Sequence, residues 1–243
     1  MRLYLNIGNT HTQIARYDGG QPVLLEQYDT ADIKVLGDIP LLEKMPVAWE
    51  AFAVSVVPLA QSILEKHYGS RLRFLSRMDF SLDFSAVDPS TMGMDRIANA
   101  FAAHRLSQTA VVVIDCGTCI NTMAVTADGR LLGGAIMPGR MMLRKSLAAY
   151  TAQLPLLPMR DKCPPPIGAN TLDALAAGVD RGILGSVREI LFSTRALLGD
   201  GCRFIAAGGD APYFLANIPE LQPGPELLTI RGVAMAADVV FNK

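Results

Sequence analysis

The sequence predicts a duplicated α/β protein, two lobes of mixed sheet flanked by helices. Three observations carry that reading. The stretch Leu3-Tyr4-Leu5-Asn6-Ile7-Gly8-Asn9-Thr10, shifted by 109 residues, falls on Val112-Val113-Ile114-Asp115-Cys116-Gly117-Thr118-Cys119, and Ala15 falls on Ala124. An Asp-Gly pair follows each copy, Asp18-Gly19 and Asp128-Gly129, so each copy reads strand, glycine turn, strand, Asp-Gly turn, strand. Behind each triplet, helical and strand patterns alternate, which is the signature of layered α/β architecture. A two-copy repeat makes two lobes facing each other across a cleft, not a solenoid.

Each element follows from its own pattern. The third strands are expected at Val23–Tyr28 and Arg130–Met137. In the first half, Ala53–Val57 reads as a buried strand. Pro58 then opens a helix to His67, since proline suits a first helical turn. Leu72–Leu75 is a short strand, and Asp95–Leu106 carries Ile97, Ala98, Phe101 and Ala102 at helical spacing. In the second half, Gly139–Gln153 and Thr171–Leu198 read as helices, Cys202–Ala207 as a buried strand, and Asp210–Ala216 and Arg231–Val240 as helices. The lobes are expected at 1–108 and 109–243. No flexible linker separates them, so they are expected to pack closely. The run Lys162-Cys163-Pro164-Pro165-Pro166 is a loop inside the second lobe.

Composition bounds the function classes. Half of the 243 residues are apolar and 19% are charged, which fits a compact enzyme-sized protein and argues against disorder. Lys+Arg of 22 against Asp+Glu of 23 leaves no electrostatic footprint for nucleic acid. No apolar run approaches the ~18 residues of a membrane span. No signal peptide precedes the first strand, and the expected location is cytoplasmic. Cys116, Cys119, Cys163 and Cys202 make no disulfide framework. Cys116-Gly-Thr-Cys119 spells C-x-x-C, but it runs on from a strand rather than opening a helix, and no second ligand pair accompanies it. Two small buried residues is the reading it supports.

The turns carry the chemistry. A glycine after a strand lets backbone approach a ligand closely. Asn9-Thr10 and Thr118 add side-chain donors beside it, and such turns cradle phosphate oxygens. A polar strand end, Asn6 or Asp115, sits where apolar residues would otherwise continue, and a carboxylate there suits a cation. One such turn alone is more often a hairpin. Two in register, each after a buried polar strand end, favour a nucleotide site. Gly208-Gly209-Asp210 joins a strand to a helix and suits packing against an adenosine moiety. Gly93-Met94-Asp95-Arg96 precedes a helix, so Asp95 reads equally as an N-cap or as a base taking a proton from a substrate hydroxyl beside Arg96.

The set Ile7-Gly8-Asn9-Thr10, Ser55-Val56-Val57-Pro58, Gly93-Met94-Asp95-Arg96, Asp115-Cys116-Gly117-Thr118, Gly133-Gly134-Ala135-Ile136-Met137-Pro138-Gly139 and Gly208-Gly209-Asp210-Ala211 resembles type III pantothenate kinase over nearly the whole chain. The resemblance implies the RNase H-like, actin-like ATPase fold shared with acetate and sugar kinases. It implies ATP-dependent phosphorylation of the primary hydroxyl of pantothenate to 4'-phosphopantothenate, the first step of coenzyme A synthesis. It also implies a homodimer, Mg²⁺ with the nucleotide, and a monovalent cation, K⁺ or NH₄⁺. Carried over by position, Asp95 is the catalytic base, and Gly93, Met94, Asp95, Arg96 and Thr171 line the pantothenate site. Asn6, Ile7, Gly8, Asn9, Thr10, His11, Thr12 and Gln13 form the first phosphate-binding turn. Thr118 contacts ATP and Asp115 holds the monovalent cation.

The chain departs from the family pattern at four positions. Asn6 stands where the first motif starts with Asp; Cys119, Asn121 and Met123 stand for Ala, Thr and the last Asp of the second. An Asn keeps the shape and one acceptor oxygen of an Asp, removes its charge and adds two donors. The alternatives are a catalytically weakened relative serving as a nucleotide-binding or regulatory accessory protein, and a kinase of the same superfamily acting on another small hydroxylated substrate.

Overall fold

The computed structural model describes residues 1–46 and 48–241 and divides into two compact units. The first opens with the meander β1 (Arg2–Ile7), β2 (His11–Asp18) and β3 (Gln21–Asp29). Then follow α1 (Thr30–Leu36), α2 (Pro40–Glu43), β4 (Glu50–Ser55), α3 (Pro58–Tyr68), β5 (Leu72–Phe74) and α4 (Met94–Ser107). The sheet order is β3-β2-β1-β4-β5, with β4 parallel to β1 and β5 parallel to β4.

The second unit repeats this plan. Its strands are β6 (Val111–Cys116), β7 (Cys119–Val125), β8 (Leu131–Gly133) and β9 (Ile136–Pro138). Next come α5 (Arg140–Ala149), α6 (Thr171–Ala176), a π-helical turn over Ala177–Arg181, and α7 (Gly182–Leu198). The unit closes with β10 (Arg203–Ala207), α8 (Ala211–Asn217) and β11 (Leu221–Pro223), and α9 (Leu228–Phe241) ends the chain. The order β11-β10-β6-β7-β8 is that of the first unit, with β10 parallel to β6 and β11 parallel to β10.

Strand alternation sorts the side chains of the first sheet. Leu3, Leu5, Ile7, Ala51 and Ala53 face a core built with Ile33, Leu42, Ala60 and Leu64 of α1 to α3. Tyr4, Phe52 and Val54 face the opposite core, with Ile97, Ala98 and Phe101 of α4 and Ile230 and Val233 of α9. Full burial of each such Leu, Ile or Phe contributes about 1.5–3 kcal/mol. In the second unit Val112, Ile114, Cys116, Phe204 and Ala206 pack on Ile183, Val187 and Leu191 of α7 and Phe214 of α8.

Four sequence expectations are corrected. The segment from Pro225 belongs to the first unit, so 109–243 is not one compact body. The apolar face of α9 is buried in the first unit's core, and Gly232 lies so close to α4 that a Cβ there would stand 2.2 Å from the Ala98 carbonyl oxygen. The third strand of the second unit is broken into β8 and β9. A Cβ at Gly134 would overlap the Thr122 carbonyl oxygen at 1.7 Å, and Thr122 Oγ1 accepts from the Ala135 N–H instead of leaving an even ladder. The repeat loses one residue at its turn. Asn6 pairs with Gln13 but Asp115 pairs with Asn121, so Ala15, opposite Tyr4, corresponds to Met123 rather than Ala124. Asp95 lies inside the first turn of α4, not at its N-cap.

Candidate active site

The first glycine turn is built by backbone. Gly8 N–H donates to the His11 carbonyl at 3.0 Å, and Thr30, at the start of α1, braces the turn from behind. Its N–H donates to the Thr10 carbonyl at 2.8 Å, its hydroxyl donates to the Gly8 carbonyl at 2.7 Å, and it meets the buried Thr12 hydroxyl at 3.0 Å. Asn9 and Thr10 stand exposed at the tip. Three other expected ligand residues direct their side chains elsewhere. Ile7 is in the core, Thr12 is fully buried on Thr30, and Gln13 donates to Gln27 at 3.1 Å. His11 Nδ1 lies 3.2 Å from Asp29. The bracing by Thr30 has no signature in the turn motif itself, because its partner lies two strands away.

Asn6 is the next-to-last residue of β1, on the face shared by Tyr4, the α4 face. Its Oδ1 is buried without a hydrogen-bond partner. Such an orphan acceptor costs about 1–3 kcal/mol, so it marks a place where a ligand or water belongs. On that same face the loop after β4 meets the start of α4. A Cβ at Gly93 would stand 3.2 Å from Val56 Cγ1 and 2.6 Å from Asp95 Oδ1. Only glycine therefore lets Asp95 fold back as it does, with Oδ1 accepting from the Arg96 N–H at 2.7 Å. Burial pushes the Asp95 carboxyl above the usual carboxylate range, partly offset by that N–H and the Arg96 charge. Gly93, Met94, Asp95 and Arg96 are each half-buried, and Gly93 lies against Val56, just past the carboxyl end of β4.

In the second unit the same edge of the sheet carries three converging turns. Gly117 N–H donates to the Cys119 carbonyl at 3.0 Å, matching Gly8 and His11, and Gly117 and Thr118 are exposed. The start of α5 rests on this turn. Gly139 N–H donates to the Thr118 carbonyl at 3.0 Å, and a Cβ there would meet the Gly117 carbonyl oxygen at 2.4 Å. From the other side Gly208, at φ +90°, comes so close that a Cβ would lie 2.5 Å from Asp115 Oδ1 and 2.6 Å from the Cys116 carbonyl oxygen. Asp210 N–H donates to that Cys116 carbonyl at 2.9 Å. Cys116 is a core thiol whose pKa is pushed up by burial and by Asp115 and Asp210, while Cys119, expected to be buried with it, is half-buried.

Below these turns lies a charged cluster that the sequence did not single out as buried. Arg140 donates from Nε to Asp180 at 2.9 Å and from Nη1 to Asp210 at 2.8 Å. Arg144 Nη2 donates to both Asp180 oxygens, at 2.7 and 2.8 Å. Asp180 is fully buried, Arg140 and Arg144 nearly so, while Asp210 is 21% exposed. Burial raises the Asp210 carboxyl, opposed by Arg140. Only the alternation of Arg140 and Arg144 along one face of α5 hinted at a shared partner.

Thr171 opens α6 in the second unit, with Asn170 capping the helix by accepting from the Asp173 N–H at 3.0 Å. Thr171 borders a cavity of about 500 Å³ lined by Leu143, Leu147, Leu154, Leu175 and Val179. It belongs to a different unit from Gly93–Arg96.

A divalent ion is implied by the resemblance. Among the described residues no group of three or more His, Cys, Asp or Glu converges as a metal cage. Mg²⁺ does not need one, because it keeps most of its waters and binds nucleotide phosphates through one or two protein oxygens. The orphan Asn6 Oδ1 is a hard oxygen acceptor and fits such a bound water.

Comparison with known proteins bears on the fold and the family. A protein from Campylobacter jejuni assigned to the Baf family of transcriptional activators shares the fold at TM-score 0.70 and 19% identity, over 99% of this chain and 100% of that one. A Sinorhizobium meliloti protein assigned as a 2-dehydro-3-deoxygalactonokinase does so at TM-score 0.62 and 12% identity, over 100% and 98%. Sheet order and these likenesses define the fold class, a duplicated RNase H-like fold of the kind named for actin-like ATPases. Within that class, the chain belongs to the type III pantothenate kinase family, whose model matches residues 2–192. It is 28% identical over 257 residues to the type III pantothenate kinase of Kosmotoga olearia, covering 99% of this chain and 97% of that protein. It is 31% identical to that of Chlorobium luteolum, covering 99% and 93%.

Proposed function

We propose that the chain transfers the γ-phosphoryl group of ATP to the primary hydroxyl of pantothenate, giving 4'-phosphopantothenate for coenzyme A synthesis. The observation that supports this most directly is Asp95. It is a half-buried carboxylate whose proton affinity is raised, and glycine-made space holds it on the Asn6 face of the first sheet. In the reaction the hydroxyl oxygen forms a bond to the γ-phosphorus, the bond to the ADP oxygen breaks, and the hydroxyl proton passes to Asp95. Gly93, Met94 and Arg96 are proposed to contact pantothenate beside Asp95, and Thr171 is proposed as a further pantothenate residue. The Gly8-Asn9-Thr10 and Gly117-Thr118 turns present N–H and hydroxyl groups to phosphate oxygens. Gly208-Gly209 offers side-chain-free backbone to the nucleoside.

Bound Mg²⁺ would neutralise charge on the phosphate oxygens, and Asn6 Oδ1 is the residue atom that would hold its water. Asp115, at the end of β6, is the proposed ligand of K⁺ or NH₄⁺. A homodimer is proposed from the apolar cavity between α5 and α6 together with the exposed apolar side chains of Tyr150, which follows α5, Ile167, which precedes α6, and Leu172 in α6, and sedimentation of the intact protein reads it directly. No helix among the described residues is long and apolar enough to cross a membrane. The proposed location is the cytoplasm, where ATP is supplied. The reading is tested by incubating the protein with ATP, Mg²⁺, K⁺ and pantothenate and following ADP release. Turnover that depends on pantothenate supports it, and ATP binding without such turnover would favour an accessory nucleotide-binding role.

A further inference from the structure

The phosphoryl-transfer steps leave the Arg140–Asp180–Arg144–Asp210 cluster without a task. Its geometry gives it one. The π-helical turn at Ala177–Arg181 interrupts the regular helical phase between α6 and α7 and carries Asp180 fully inside. There Asp180 is saturated by Arg140 and Arg144, and its carbonyl accepts from the Tyr213 hydroxyl at 3.3 Å. Arg140 has its guanidinium over the Tyr213 ring, 3.5 Å from the centroid. Its three nitrogens reach three partners at once: Nε to Asp180, Nη1 to Asp210, and Nη2 to the Arg160 carbonyl. A planar guanidinium can do this and a point-charge ammonium cannot.

Two of the positions so joined belong to the nucleotide turns. Arg140 follows Gly139, whose backbone lies on the Gly117-Thr118 turn with no room for a side chain. Asp210 follows Gly208-Gly209; the Gly208 backbone lies equally tightly on Asp115 and Cys116, and the Asp210 N–H donates to the Cys116 carbonyl. The loop before α6 is tethered to the same cluster through the carbonyls of Pro158 and Arg160, which accept from Arg144 and Arg140, while Arg181 donates to Pro164 at 2.7 Å. We propose that Arg140, locked by Asp180, is a positioning residue for the nucleotide: it fixes the distance between the Gly117-Thr118 and Gly208-Gly209 turns through its bond to Asp210. This rests on the reading that these turns hold ATP.

The test measures ATP affinity by calorimetry, and the KM for each substrate, on the intact protein. Thr118→Val first checks the site; unchanged ATP affinity there would remove the reading beneath the proposal. With that check passed, Arg140→Met raises the Kd and KM for ATP about tenfold, equivalent to ~1.4 kcal/mol, and leaves the KM for pantothenate within twofold. Arg140→Lys does not restore affinity. If Arg140→Met fails to fold, Asp210→Ala decides by the same criterion, since it removes only the solvent-side link. The double variant, where folded, loses no more ATP affinity than Arg140→Met alone, because both act through one bond. A folded variant with unchanged ATP affinity, or with equal losses for both substrates, would reduce the cluster to a structural ion network and overturn the proposal.

Discussion

Asn6 and Asp115 occupy the same place in two copies of one sheet: each is the next-to-last residue of the central strand, one residue before the position whose carbonyl accepts from the segment after the neighbouring parallel strand. One copy keeps a carboxylate and the other an amide whose Oδ1 is buried without a donor. Restoring symmetry by Asn6→Asp puts a charge where no protein donor meets that oxygen. The variant is expected to lose about 1–3 kcal/mol without ligand, several degrees in Tm for a chain of this size. Mg²⁺ with ATP is expected to recover most of the loss. Thermal melts with and without Mg·ATP check this, and a variant equally stable in both would show that Asn6 faces no cation.

Asp95→Asn removes the proposed base while keeping its shape. The expected loss in kcat is about 10²–10⁴-fold, with ATP affinity little changed. Pre-steady-state ADP formation and ATP titration separate the two effects.

The pH dependence of Asp95 has a definite sign. Burial raises its folded-state pKa, so the folded protein binds that proton more tightly than the unfolded chain does. The associated stability is fully present below the unfolded carboxylate pKa and is lost as pH rises through the raised folded value. Activity runs the opposite way, rising as Asp95 deprotonates. Asp95→Asn is therefore expected to melt higher than the parent at neutral pH, with the difference shrinking in acid. A variant that melts lower at neutral pH would mean the carboxylate is stabilised in place.

Gly208→Ala meets two obstacles at once. A φ of +90° is unfavourable for any side chain, and the new Cβ would press on Asp115 Oδ1 and the Cys116 carbonyl. Left-handed backbone costs about 1–2 kcal/mol and overpacking about 1–3 kcal/mol. Denaturant unfolding is expected to show their sum, and ATP affinity is expected to fall with it.

Asp180→Ala leaves Arg140 and Arg144 buried without their shared carboxylate, at a cost of about 3–5 kcal/mol. Replacing Arg140, Arg144 and Asp180 together by Met, Leu and Leu is expected to recover most of that stability, because apolar groups need no partner there. Urea unfolding of the two variants makes the comparison.

The sequence by itself determined what local pattern and repetition can carry. Alternation and glycine placed Leu3–Gly8 and Val112–Gly117 as matching strand-and-turn units, and the order of motifs gave the duplicated sheet and the family. The helix from Thr171 to Leu198 was legible in outline, but not its π-helical turn, because one residue's shift in hydrogen bonding leaves the apolar spacing nearly unchanged. The repeat was legible up to its turn and then slipped by one residue, since a gapless comparison cannot see a shortened loop. Tertiary structure decided the rest. It moved α9 to the first unit, where its apolar face meets α4, and it turned Arg140 and Arg144 inward onto Asp180. It also showed Thr30 holding the first turn and Asn6 left without a donor. Each of these depends on residues far apart in the chain, and which buried charge or amide finds a partner is fixed only when the elements pack.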